Sequence, residues 1–112
     1  MNIPNAYCIP GLPQFRKINE DDIIKAVCTY FFFTKEELIK RNRLRERVFA
    51  RHIAVFFLRN ELNFSLSTIG KIFNQDHTTV IHSINKIKGF IDIQDYITIK
   101  AISDIKNIYK EF

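Results

Sequence analysis

Asp76-His77-Thr78-Thr79-Val80-Ile81-His82-Ser83-Ile84-Asn85-Lys86-Ile87 places small polar side chains at its start and apolar ones at regular spacing behind them. Val80, Ile84, Ile87 and then Ile91 recur at intervals of four, three and four residues, which puts them on one side of an α-helix. Thr78, His82 and Asn85 fall on the opposite side, with His77 in the first turn. Asp76 suits the N-cap, where its carboxylate accepts amide hydrogens that have no partner inside the helix. Upstream, Ser65 with Thr68 opens a short helix bearing Leu66, Ile69, Ile72 and Phe73, and Asn74-Gln75 forms a tight turn. Gly70 costs that helix about 1 kcal/mol relative to Ala. The compensation expected for it is the close approach of a neighbouring helix.

A short helix, a turn and a second helix with a polar tip follow the helix-turn-helix pattern, whose second helix enters a DNA major groove with its first residues. The residue types suit base reading. Histidine donates to guanine or accepts from a base amine, threonine offers a hydroxyl and a methyl that matches the thymine methyl, and aspartate accepts from cytosine N4. Asp76 also reads as a helix cap alone, and Thr78-Thr79 as a solvated turn.

The surrounding chain reads as the frame for this element. Residues 1–18 hold all three prolines and Gly11 without helical period, so an extended N-terminal arm is expected there, either loose or pinned through Tyr7, Ile9, Leu12 and Phe15. Residues 19–112 form the domain. Asn19 caps a helix whose first turn carries Glu20, Asp21 and Asp22, followed by Ile23, Ile24, Val27, Tyr30 and Phe31 at helical spacing. Thr34 with Glu37 forms a capping box for a short helix over about residues 35–40. A basic loop, Lys40-Arg41-Asn42-Arg43, leads into a helix from about Leu44 to Leu62. Val48 to Leu58 is apolar except for Arg51 and His52, the composition of a strut enclosed by other helices, with His52 a hydrogen-bonded structural residue. A final helix is expected from Asp92 to Phe112, with Tyr96, Ile99, Ile102, Ile105, Tyr109 and Phe112 inward. The fold class is all-α, five to six helices.

The 112 residues suit one domain, and 46% hydrophobic with 26% charged content is that of a globular protein. The net charge of +5 is concentrated in one segment. Between Lys35 and Arg59 stand eight basic residues (Lys35, Lys40, Arg41, Arg43, Arg45, Arg47, Arg51, Arg59) and three acids, while nine of each sign share the rest of the chain. Such a cluster is the footprint of a phosphate-binding face, or else a solvated helix surface. No apolar run is long enough to span a bilayer, and the start lacks a signal-peptide pattern, so a cytoplasmic protein is expected. Cys8 and Cys28 then read as reduced thiols without metal-ligand spacing to the three histidines. No metal, cofactor or catalytic residue is expected. There is no acidic metal cluster and no nucleophile with a paired base, so the chain reads as a non-enzyme.

Taken together, these residues resemble the C-terminal DNA-binding domain (domain IV) of the bacterial replication initiator DnaA, with its Trp-repressor-like fold. That family's recognition helix begins with the same Asp-His-Thr-Thr-Val. The resemblance runs over roughly residues 18–112. It includes Asp22-Ile23-Ile24 to Tyr30-Phe31, Arg41 to Arg51, and Ser65-Leu66 to Ile69-Gly70. It implies base contacts from Asp76, His77 and Thr78 in the major groove and from Arg43 in the adjacent minor groove. It further implies phosphate contacts from Arg41, Arg45, Arg51, Arg59, Thr79 and Ser67. The partner implied is double-stranded DNA at sites like the family's origin boxes, in replication initiation control or transcription regulation, with a replication or regulatory protein as a further partner. The chain departs from the family at three places. Asn74-Gln75 replaces a Gly-Gly-Arg turn, His52 stands where Gln is common, and the phosphate loop of the ATPase module is absent, so no nucleotide is expected. The alternative is an adaptor or inhibitor that keeps the fold but binds a protein through the arm and the Phe-rich helices.

Overall fold

The computed structural model describes residues 18–40 and 45–110. Six helices and no strand occur among them: α1 (Glu20–Phe31), α2 (Lys35–Ile39), α3 (Arg45–Leu62), α4 (Leu66–Phe73), α5 (His77–Asp92) and α6 (Tyr96–Lys110). The all-α class follows directly from where the caps fall. Asn19 Oδ1 accepts from the Asp22 amide at 3.0 Å, and Asp22 Oδ2 accepts from the Asn19 amide at 3.1 Å. Thr34 and Glu37 make the same reciprocal pair at 3.1 and 2.9 Å. Ser65 Oγ accepts from the Thr68 amide at 3.1 Å. Each cap satisfies amides that the helix leaves without an internal partner, which fixes where the helix starts.

The helix ends are set by left-handed residues: Phe32, Asn63, Asn74 and Gln94 all have φ between 54° and 61°. Asn tolerates this region well, whereas Phe32 adopts it while 92% exposed, with no packing to offset the steric cost of its Cβ.

α3 is the strut, packed against α1, α2, α4 and α5. Its residues Ile53 to Leu58 are all buried, as expected of a helix enclosed on every side. α6 closes the domain against α1 and α5. Ile18, assigned to the arm by sequence, packs against the core; residues 1–17, Cys8 included, lie outside the described residues.

Two expectations are corrected. The last helix does not begin at Asp92, because Gln94 turns the chain with φ 56° and Asp95 Oδ2 accepts from the Thr98 amide at 3.0 Å and its hydroxyl at 2.8 Å. This restart rotates the inward face to Thr98, Ala101, Ile105 and Tyr109, leaving Tyr96 and Ile99 exposed at 73% and 42%. Phe112 lies outside the described residues. Gly70, in turn, is required by a turn and not by a helix: a Cβ there would sit 2.5 Å from the Gln75 carbonyl oxygen. The turn from α4 to α5 folds its own backbone onto the glycine.

Candidate nucleic-acid interface

α4, the turn and α5 form the helix-turn-helix. Asn74 adopts the left-handed conformation with φ 54°, and the Gln75 amide donates to the Gly70 carbonyl at 2.8 Å. Asp76 then starts α5, its Oδ1 accepting from the Thr79 amide at 2.8 Å. Val80, Ser83, Ile84 and Ile87 are buried, so the inward stripe is as the spacing predicts, except that it contains a serine. His77, Thr78, His82, Asn85 and Lys86 are exposed, and Thr79 is half-buried. The polar tip is thus presented to solvent by a helix whose opposite side is sealed.

Ser83 is wholly buried and satisfied on both sides. Its hydroxyl donates to the Thr79 carbonyl at 3.1 Å, and His52 Nδ1 on α3 lies 2.9 Å from Ser83 Oγ. The His52 ring stands edge-on to His82, with centroids 6.1 Å apart. Burial pushes the His52 imidazole down to about 4, helped by the nearby His82, Arg51 and Lys86. His52 is therefore neutral at physiological pH, a hydrogen-bonded structural residue as its place on the strut suggests.

The basic segment is divided by the structure. Arg41 and Arg43 lie outside the described residues. Arg47 Nη2 donates to Glu37 Oε2 at 2.9 Å, and its guanidinium lies 5.6 Å from the centroid of the Phe33 ring. The Thr34 amide and then Arg47 hold the Glu37 carboxyl below the usual carboxylate range. Arg51 is buried at 6% exposure, its Nη1 donating to the Lys40 carbonyl at 3.0 Å, so it anchors the end of α2 to the strut. Arg59 is exposed, with Nη1 donating to the Phe64 carbonyl at 2.9 Å ahead of α4. Arg45 and Ser67 are exposed. Fourteen residues apart on one helix, Arg45 and Arg59 are about 21 Å apart along the axis and about 40° apart around it, so they share a side.

Sequence reasoning missed three features. Lys71 and Lys86 add exposed positive charge on α4 and α5 themselves. The Glu37–Arg47 pair spans two helices, so no local spacing signals it. Ser83 was detectable as the one polar residue three positions after Val80 on an otherwise apolar stripe. Gln75 Oε1 is buried without a hydrogen-bond partner among the described residues, at a cavity of about 190 Å³ that Arg51 and Lys40 also line. Among the described residues, no three His, Cys, Asp or Glu side chains gather as a metal site would require, and no helix is long and apolar enough to cross a membrane. Cys28 is half-buried, and burial raises its thiol pKa.

An all-helical domain in which the capped helix α5 presents His77 and Thr78 from a two-residue turn after α4 is a DNA-binding helix-turn-helix domain. Comparison with known proteins gives the family. The model of the bacterial DnaA protein helix-turn-helix matches residues 20–87, and the chain belongs to that family. The chromosomal replication initiator protein DnaA of Bacteroides thetaiotaomicron is 38% identical over 81 residues, which are 71% of this chain and 17% of that protein. The Oleidesulfovibrio alaskensis protein of the same name is 44% identical over 68 residues, 61% of this chain and 15% of its own length. That of a Thermoanaerobacter strain is 34% identical over 97 residues, 87% of this chain and 22% of its own length. The matched region is thus at most about a fifth of the length of these curated relatives.

Proposed function

We propose that this chain reads duplex DNA in a sequence-selective way, at sites resembling those bound by DnaA, and so acts in replication initiation control or transcription regulation. α5 lies in the major groove with Asp76, His77 and Thr78 toward the base edges. Arg43 reaches the adjacent minor groove, where a narrow A/T-rich tract concentrates negative potential. Arg41, Arg45, Arg59, Ser67 and Thr79 hold phosphates, joined by Lys71 and Lys86. Arg51 contributes mainly by fixing the base of the basic loop at Lys40, because its guanidinium is buried and already bonded there.

The observation that carries this reading is the exposure of His77 and Thr78 at the capped start of a helix whose other side is sealed by Val80, Ile84 and Ile87. Selection from a random duplex library, with sequencing of the bound DNA, tests it. Enrichment of a motif like the DnaA box supports the specific reading. A different motif points to the Asn74-Gln75 turn as the cause, and no enrichment overturns it. With four to six phosphates neutralised, log K against log salt has a slope of roughly −4 to −5.

A second reading, a protein-interaction module, draws on one observation. Ile93, Tyr96 and Ile97 are exposed at 73%, 73% and 68% where α5 passes into α6. That reading predicts retardation of no duplex.

A further inference from the structure

Ser83 is a fully buried hydroxyl on the apolar stripe of α5, and it has a single proton to give. That proton goes to the Thr79 carbonyl at 3.1 Å. His52 Nδ1 lies 2.9 Å from Ser83 Oγ, and with the hydroxyl proton given to Thr79, Oγ is left to accept, which calls for the tautomer with the hydrogen on Nδ1. The result is a directed chain from the ring of His52 on α3, through Ser83, to the Thr79 carbonyl, which is one residue beyond Thr78. Its α3 end lies in the packed interior, since Arg51 and Ile53 on either side of His52 are both buried.

We infer that His52 and Ser83 are positioning residues for DNA recognition: their hydrogen bond sets the rotation of α5 about its own axis and so which bases His77 and Thr78 meet. This rests on the reading of DNA by α5 proposed above. Packing of Val80, Ile84 and Ile87 limits how far the helix can turn but is non-directional, so it sets the rotation less sharply than a hydrogen bond does. An N–H···O bond weakens steeply once its distance or angle is lost. At the outer radius of a helix, a rotation of about 20° carries a side-chain tip about 2 Å. That displacement separates a made base contact from a lost one.

The test uses the whole chain and three substitutions, each checked for helicity and melting. Wild type is first used to select a motif from a random duplex library. Ser83→Ala and His52→Leu each lower affinity for that motif about 3- to 10-fold. Both also lower its ratio over duplexes changed at the bases read by the first turn. The double variant is no worse than either single one, as expected for one shared bond. His52→Asn, whose amide nitrogen stands where Nδ1 does and keeps a donor there, retains most of the ratio. In wild type, imidazole nitrogen spectra show the proton of His52 on Nδ1.

Variants that melt lower but keep the wild-type ratio overturn the inference while leaving the reading of DNA intact, and a proton on Nε2 does the same even if a variant fails to fold. A wild-type protein that enriches no sequence removes the underlying reading and the inference with it.

Discussion

The tip of α5 and the basic shoulder formed by α2 and α3 are both polar surfaces, but they are built in opposite ways. At the tip, the one charged side chain, Asp76, is engaged as a cap while exposed, beside the exposed His77 and Thr78. On the shoulder, charge is abundant, yet much of it is used inside the molecule: Arg47 by Glu37, and Arg51 by the Lys40 carbonyl. A count of basic residues therefore overstates the electrostatic surface. The tip, poorer in charge, is the better defined of the two because a cap, a glycine contact and a buried hydroxyl all act on it.

The sharpest way to break this comparison is to treat the shoulder arginines as equivalent. Arg51→Ala removes a buried, hydrogen-bonded guanidinium and its packed stem, at a cost on the order of 3 kcal/mol in chemical denaturation. Arg45→Ala leaves stability within about 0.5 kcal/mol and makes the salt slope of DNA binding shallower by about 1. Equal stability losses for the two would mean that the shoulder is not divided as described.

Gly70→Ala follows in size. The new Cβ meets the Gln75 carbonyl, and relieving the clash costs about 2 kcal/mol despite alanine's better helix propensity. Gly89→Ala, with nothing within 4 Å of the added atom, stabilises by about 0.5 kcal/mol. Thermal melting of both variants checks the opposite signs.

At the tip, His77→Ala leaves the fold intact and costs about 1 to 2 kcal/mol of discrimination at a single base position, measured by competition between duplexes. A uniform loss across all sequences would instead make His77 a phosphate contact.

The smallest expected effect is a pH dependence at the junction of the two regions. His52 titrates at about 4 in the folded chain, below a free imidazole's 6.5, so the unfolded chain takes up the proton first. Its contribution to stability is complete above pH 6.5 and is lost as the pH falls toward 4. For a ring that keeps some solvent contact, this loss is on the order of 1 kcal/mol. Melting at pH 7 and pH 4.5 should show a smaller drop for His52→Gln than for wild type.

Much of the fold was legible because its signals are local. Asn19, Thr34, Ser65 and Asp76 each sit three residues before the amide they accept from, so the starts of α1, α2, α4 and α5 could be read directly from spacing. The rotation of α6 was not legible. Isoleucines and tyrosines on several faces made more than one inward stripe plausible, and the choice depended on Asp95 restarting the helix. At the site, exposure of His77 and Thr78 followed from periodicity, whereas the roles of Arg47 and Arg51 depended on partners 10 and 11 residues away, on α2 and at its C-cap.

By itself, the sequence determined that this is an all-helical domain with a helix-turn-helix, because caps and helical periodicity act within a few residues. Asp76-His77-Thr78-Thr79-Val80 also carried the likeness to the DnaA family. Only the tertiary structure decided which cations remain at the surface, that Gly70 makes room for a carbonyl, and that a buried serine on α5 meets a histidine on α3. Those outcomes depend on distances between helices, where packing and desolvation, and not residue type, select the partner.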